Sequence, residues 1–236
     1  MNGRRVLPAW LFLLAALAAL AAAACGGGGN GGEEFDAEQV VRDAADRLEG
    51  VQSFHFLLTH QEGGTRIIQD LLMTRAEGDV VRPARLRADV EADAAGQKLR
   101  LSVIGIDERT WITNPFNPSQ WQPLEGTDVR DVLDLAAVPE VMRAVQDVEA
   151  NGTERVNGTE CYRVRARVDS GALAAVVPRA ASPGQTVTVE LWVGRDDALV
   201  RRLVVRGPLN PDEDEGIERR LDLSGFDAPV TVQPPL

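Results

Sequence analysis

The two histidines, His55 and His60, are the residues most able to carry acid–base or metal chemistry. They lie five positions apart on a segment of period two, so they face opposite sides of a strand and do not chelate one ion together. Both read as sheet-face or edge residues. No G-x-S-x-G elbow, phosphate-binding loop or H-E-x-x-H motif accompanies them. The acidic run Asn210-Pro-Asp-Glu-Asp-Glu-Gly216 is the best cation candidate, but a calcium loop counted from Asn210 needs glycine at 215, where Glu215 stands. The run is expected to be a solvated acidic loop that blunts a nearby sheet edge. Cys161 opens a strand and reads as inert packing. The sequence therefore offers no catalytic set, no metal site and no cofactor motif, and an enzyme is not expected.

Charge narrows the partners. The 236 residues carry a formal net charge of −11, with 44% hydrophobic and 26% charged residues. That balance is that of a folded domain, and the acid excess disfavours phosphate backbones and anionic membrane surfaces as partners. Nucleic-acid binding is not expected.

Cys25 carries a different chemistry. Arg4 and Arg5 precede an apolar run from Val6 to Ala24, and Ala22-Ala23-Ala24 set small residues directly before the cysteine. A basic start, an apolar core and small residues at the end make a secretory leader. The cysteine makes it resemble a bacterial lipobox, with Ala22 where leucine is usual. On that reading residues 1–24 are removed and Cys25 is acylated. An uncleaved anchor, or an ordinary leader ending at Ala24, would leave Cys25 unmodified. Gly26 to Gly32, with Glu33 and Glu34, then form a flexible tether over 25–34. Two or more acyl chains hold firmly where one gives only marginal attachment. The expected location is the extracytoplasmic face of the cell membrane.

Residues 35–236 read as one domain. Asp36 is placed to cap a helix, with Gln39 completing a capping box and Val40, Val41, Ala44, Ala45 and Leu48 at helical spacing. After Gly50 the period becomes two. Phe54, Phe56 and Leu58 alternate with His55, Leu57 and Thr59. The same pattern recurs over Leu86–Asp93, Lys98–Val103, Tyr162–Val168 and Val187–Val193, and less cleanly over Leu199–Arg206 and Ile217–Leu223. Asn151-Gly152, Asn157-Gly158, Ala95-Gly96, Glu77-Gly78 and Arg195–Asp197 are predicted turns, the two Asn-Gly pairs as hairpins of type I′. Asp128–Leu135, Glu140–Val148 and Gly171–Val177 are predicted helices. The order of elements implies an α+β domain with one antiparallel sheet, wet on one face. A sheet of this size curls, and its greasy face either packs solid or leaves a hollow lined by Val, Leu and Phe.

Several stretches in fixed order carry a resemblance: SFHF at 53–56, GDVVRPARLRADV at 78–90, NPFNPSQW at 114–121, NGTECYRVRARV at 157–168, VELWVGRDDALVRRLVVRG at 189–207 and LDLSGFDAPVTVQPP at 221–235. With the lipobox they resemble the LppX/LprAFG lipoprotein family of actinobacteria. The resemblance implies a fold like LolA and LolB: a curved antiparallel sheet, an incomplete β-barrel, wrapped around helices with a hydrophobic cavity. It implies a membrane-anchored monomer that binds acylated lipids or glycolipids and carries them within the envelope. The alternative is an envelope sensor or scaffold that binds a protein partner. Candidate cavity residues are Phe54, Phe56, Leu58, Leu101, Val103, Val164, Val189 and Leu191. Trp111, Phe116 and Trp121 are either anchors of their loop on the core or candidate rim residues, since amphipathic rings suit an apolar–aqueous border.

Overall fold

The computed structural model describes residues 34–68, 71–131, 134–178 and 180–235. Cys25 and the leader lie outside the described residues. Helix α1 (Ala37–Glu49) buries Ala37, Val41, Ala44, Ala45 and Leu48, the stripe expected from spacing. The Asp36 carboxylate accepts from the Gln39 backbone N–H at 2.9 Å. The Gln39 side chain does not close the box but donates to Asp43 instead.

Twelve strands follow: β1 (Ser53–His60), β2 (Thr65–Ile68), β3 (Leu71–Val81), β4 (Arg85–Ala94), β5 (Gln97–Ile106), β6 (Arg109–Asn114), β7 (Asn117–Pro123), β8 (Gln146–Val156), β9 (Thr159–Asp169), β10 (Thr186–Gly194), β11 (Val200–Arg206) and β12 (Glu218–Ser224). Between β7 and β8 lie two short 3₁₀ turns, Val129–Asp131 and Leu135–Ala137, and helix α2 (Val138–Arg143). Helix α3 (Ser170–Leu173) links β9 to β10. All strands join one antiparallel sheet in the order β7-β6-β5-β4-β3-β1-β12-β11-β10-β9-β8, with β2 added against β3. Because β7 and β8 do not pair, the sheet is an unclosed barrel. No helix among the described residues is long and apolar enough to cross a membrane.

One rung of the ladder shows why the interior is greasy. Reading cross-strand partners, Leu101 faces Val90, then Ala76, Leu58, Leu221, Leu203, Leu191 and Val164. Apolar side chains thus stand on one face across β5, β4, β3, β1, β12, β11, β10 and β9. Period-two alternation in each strand, locked in register, produces that stripe.

Three predicted local features differ. Glu77-Gly78 is no turn: Gly78 sits inside β3, where a Cβ would meet the Arg87 carbonyl oxygen at 2.0 Å. Only glycine lets β4 approach there. Asn151-Gly152 is a bulge within β8, with Ala150 opposite Val164 and Thr153 opposite Tyr162, whereas Asn157-Gly158 makes the expected hairpin with both φ angles positive. The predicted helices over 128–135 and 140–148 shorten to 3₁₀ turns and α2, and β8 begins by Gln146.

The convex face carries a second layer of order. Glu190, on β10, has a fully buried side chain ringed by arginines. It accepts from Arg163 at 3.0 Å, Arg165 at 2.9 Å, Arg206 at 2.8 Å and, from the β8 bulge, Asn151 at 3.2 Å. Burial alone would raise its pKa, but the hydrogen bonds from Arg206, Arg163 and Arg165 hold it at about 2. Beside it, Trp192 packs with Val156, Cys161 and Val204. Strand β10 is therefore buried on both faces.

Candidate functional site

On the concave side the sheet and its short helices leave two apolar cavities. The first, of about 100 Å³, lies between β1, β10, β11 and β12 below and the segment from Leu135 through α2 to Val145 above. Leu58, Val189 and Leu191 line it, with Leu203, Val205 and Leu221 beside them. The second, of about 80 Å³, lies over β1 and β3–β6 and is lined by Phe56, Leu101 and Val103, with Leu86, Ala88 and Ile112. Thr65, Met73 and Val177 belong to both linings, so these three side chains form the partition between two lobes. Met73 is the deformable member, since an unbranched thioether adapts its shape readily.

Six of the eight expected cavity residues thus border a void. Phe54 and Val164 do not. They are 2% and 0% exposed and belong to the main hydrophobic core. The aromatic rim is displaced more strongly. Thr110 and Ile112 face the second lobe, so Trp111 between them points to the convex side. There Trp111 and Trp121 pack with Ile104, Ile106, Val230 and Val232 under the C-terminal segment. Neither tryptophan rims the cavity. Phe116 alone of the trio stands free, 76% exposed at the β6–β7 turn.

Polar chemistry does enter the first lobe, at a place the sequence did not reveal. The ring of His60 bonds the Thr74 carbonyl through Nδ1 at 3.0 Å and Thr65 Oγ1 through Nε2 at 2.9 Å. Thr65 Oγ1 also accepts from Arg219 Nε at 2.9 Å. The threonine proton then goes to His60 Nε2, leaving Nδ1–H to donate to Thr74, which is the neutral tautomer. Burial lowers the His60 pKa and agrees with that state. Burial also pushes the Arg219 guanidinium below its ordinary value. Arg219 is 6% exposed as a residue and, among the described residues, is the one ionisable side chain lining the first lobe. Its counter-charge is Glu213, which turns inward from an acidic loop that is otherwise exposed, as expected. That loop joins β11 to β12 and lies beside β2, a short strand that pairs with β3. A sequence signal existed: Arg219 occupies an inward position of the Ile217–Leu223 alternation.

A third, polar groove of about 500 Å³ opens between α1, α2 and the start of β8. Arg143 crosses it, 2.7 Å from both Asp46 and Glu49. Its floor residues Met142 and Val145 also line the first lobe. His55, by contrast, is on the convex face, 2.9 Å from Asp79 and 3.4 Å from Glu77, remote in kind from either cavity.

Comparison with known proteins agrees with this geometry. A family model described as LppX_LprAFG lipoprotein matches residues 36–232. The chain is 26% identical over 172 residues to a protein of Mycolicibacterium smegmatis named Lipoarabinomannan carrier protein LprG, covering 69% of this chain and 70% of that one. The crystal structure of LprF from Mycobacterium bovis superposes with a TM-score of 0.66 at 17% identity, covering 87% of this chain and 99% of that one. Mycobacterium tuberculosis lipoprotein LppX gives a TM-score of 0.60 at 17% identity, covering 83% and 97%. These two likenesses show a shared fold.

Proposed function

Because the chain belongs to the LppX_LprAFG lipoprotein family, we propose that it is an envelope lipoprotein, anchored through Cys25, that takes the acyl chains of lipids or glycolipids into its two-lobed cavity and carries them within the envelope. The observation that carries this reading is the cavity itself. Two adjoining voids are walled almost wholly by Leu, Val, Ile, Met and Ala. Protein interiors seldom keep voids larger than a water molecule, and apolar voids stay dry until a hydrocarbon enters them. The M. smegmatis relative bears the name of a lipoarabinomannan carrier protein. The role is binding and not catalysis, with the protein acting as a monomer.

Energetics favour passive exchange. Bringing a chain of ~16 methylenes into water costs roughly 13 kcal/mol at ~0.8 kcal/mol each. Moving it from bilayer to an apolar cavity is near neutral by the same count, so no coupled chemistry is needed. Size sets a condition. An apolar cavity of about 150 Å³ admits one benzene ring, and the two lobes, at about 100 and 80 Å³, hold a segment of that order. A complete chain enters only if Met73 and the covering segments yield. The deciding experiment is native mass spectrometry of the chain carrying Cys25→Ser, paired with identification of whatever organic solvent extracts from it. Co-purified acyl lipid, or uptake of offered phospholipid or glycolipid, is the expected result. A chain that stays empty with every lipid offered would end the proposal.

A further inference from the structure

Among the described residues one large apolar side chain is left in water. Phe116 is 76% exposed, at the tip where β6 turns into β7. Its display is built into the turn. Asn114 pairs with Asn117, so only Pro115 and Phe116 lie between the strands. The Phe116 N–H donates to Asn114 Oδ1 at 2.9 Å. Proline fixes the backbone on one side of the ring and this bond fixes it on the other, so the ring is held outward on a stiff support. Charge sets the tip apart as well. The chain holds 36 acidic residues, yet between Ala94 and Leu124 the only acids are Asp107 and Glu108. Those two sit in the β5–β6 turn, at the opposite end of the strands. No lysine or arginine stands between Arg109 and Glu125 either. The neighbouring turn at the same end as the tip is Ala95-Gly96, and just beyond it Lys98 and Arg100 stand opposite Asp93 and Glu91. This corner of an acidic domain is therefore neutral.

We propose that the β6–β7 tip is a membrane-docking site, with Phe116 seated at the headgroup level of a zwitterionic bilayer. A lone aromatic ring among the uncharged Asn114, Asn117, Ser119 and Gln120 suits that layer, which is apolar on one side and wet on the other. A neutral corner also approaches lipid phosphates without the repulsion that the rest of this acidic chain brings. A protein partner fits less well. Strand β7 is an edge of the sheet, but Pro118 and Pro123 lack the N–H groups that strand addition uses. One ring is also far from the roughly 800 Å² that a stable interface buries on each partner. The site goes beyond the carrier reading, because it stands whether or not the lobes are filled. It does orient them. Ile112, on β6, lines the second lobe, and the four residues from there to Phe116 span at most about 13 Å. A docked tip thus sets the β6 wall of that lobe close to the bilayer.

The test uses the full chain reconstituted through its own N-terminal segment into phosphatidylcholine vesicles, with Phe116→Trp as the reporter. Emission added by the substitution should shift to the blue, and it should be lost when the lipid is exchanged for phosphatidylcholine brominated near the glycerol end of its chains. The control is Asp196→Trp, in the exposed β10–β11 turn at the opposite end of the sheet. Its added emission should be untouched by bromine. Emission from Phe116→Trp that is equally indifferent to bromine overturns the proposal. Equal quenching at both positions overturns it too, since the domain then lies on the bilayer in no fixed orientation. A blue shift without bromine quenching, growing with the density of protein in the vesicles, assigns the tip to a second copy of the chain and overturns the membrane site. None of these results depends on lipid in the cavity, so the carrier reading stands or falls separately.

Discussion

Filling the first lobe should stabilise the empty protein and abolish its lipid uptake together. Val205 points into that lobe from β11, with its side chain bordering the void. Val205→Phe adds four carbons, and on the scale at which a cavity of about 150 Å³ accepts benzene this is about 100 Å³ of hydrocarbon. The lobe measures about 100 Å³. An unfilled cavity costs about 24 cal/mol per Å³, so filling this one regains at most about 2 kcal/mol. In a domain of this size that raises Tm by about 6 °C. The same ring displaces about four methylenes of ligand, at ~0.8 kcal/mol each, which weakens binding more than 100-fold. The matched control is Val164→Phe, on the neighbouring inward rung of the ladder. Val164 is 0% exposed and borders no void, so there the ring overpacks and costs about 1–3 kcal/mol. Differential scanning calorimetry reads stability, and displacement of a fluorescent fatty acid reads uptake. A Val205→Phe chain that melts lower and still binds lipid would refute the placement of the cavity.

The remaining expectations concern the frame around it. Glu190, held at about 2 against an ordinary 4.5, contributes stability that is complete above pH 4.5 and is lost as pH falls through about 2. That component is about 3 kcal/mol at 1.36 kcal/mol per unit. Acid titrations of stability should show it in the native chain and miss it in Glu190→Gln, which at neutral pH should be destabilised by a similar amount. Gly78→Ala should lower Tm sharply, since its Cβ has no room against the Arg87 carbonyl oxygen and Ala88. Cys161 is fully buried, and burial raises its pKa. It should resist iodoacetamide at neutral pH until denaturant is added, as mass spectrometry will register.

How much of this was legible beforehand follows from range. Leu58, Leu101 and Leu191 could be put on one inner face because period two is a local signal that pairing merely keeps in register. Whether a residue on that face meets packing or a void depends on what covers it. Val164 lies in packed core, while Leu191, its partner across the ladder, borders the void beneath the irregular stretch from Leu135 to Val145. No periodicity marks such cover. The two NGTE repeats make the same point, since identical tetrapeptides give a hairpin at 157 and a bulge at 151. The bulge exists because Asn151 reaches Glu190, a residue far along the chain. Which of its two readings, core anchor or rim, Trp111 would take was hidden for a related reason. The C-terminal Val230 and Val232 that cover it have no local pattern tying them to β6. The convex burial of Glu190 was equally hidden, because Arg163 and Arg165 read as a wet face until β10 and β11 bring Glu190 and Arg206 between them.

The two walls of the cavity differ in kind, and this decides which one moves. The sheet wall is braced from behind. On β10, Val189 and Leu191 face the first lobe while Glu190 and Trp192, on the reverse side, are locked by arginines and by packing with Val156 and Val204. Parting those strands would break ladder bonds and strand a buried carboxylate. The opposite wall consists of a 3₁₀ turn, the six-residue α2, the four-residue α3 and the turns to Ala181. Few backbone bonds tie it to the sheet, and short helices are marginal by themselves. Since the lobes are too small for a whole chain, the widening falls to this wall, with Met73 and Val177 giving way between the lobes. Hydrogen exchange should therefore find amides over 134–145 and 171–181 opening with much lower free energy than those of β9–β11. Bound lipid should slow exchange in the first group and leave the second nearly as it was. Lipid-dependent protection confined to the strands would place the moving wall on the wrong side of the cavity.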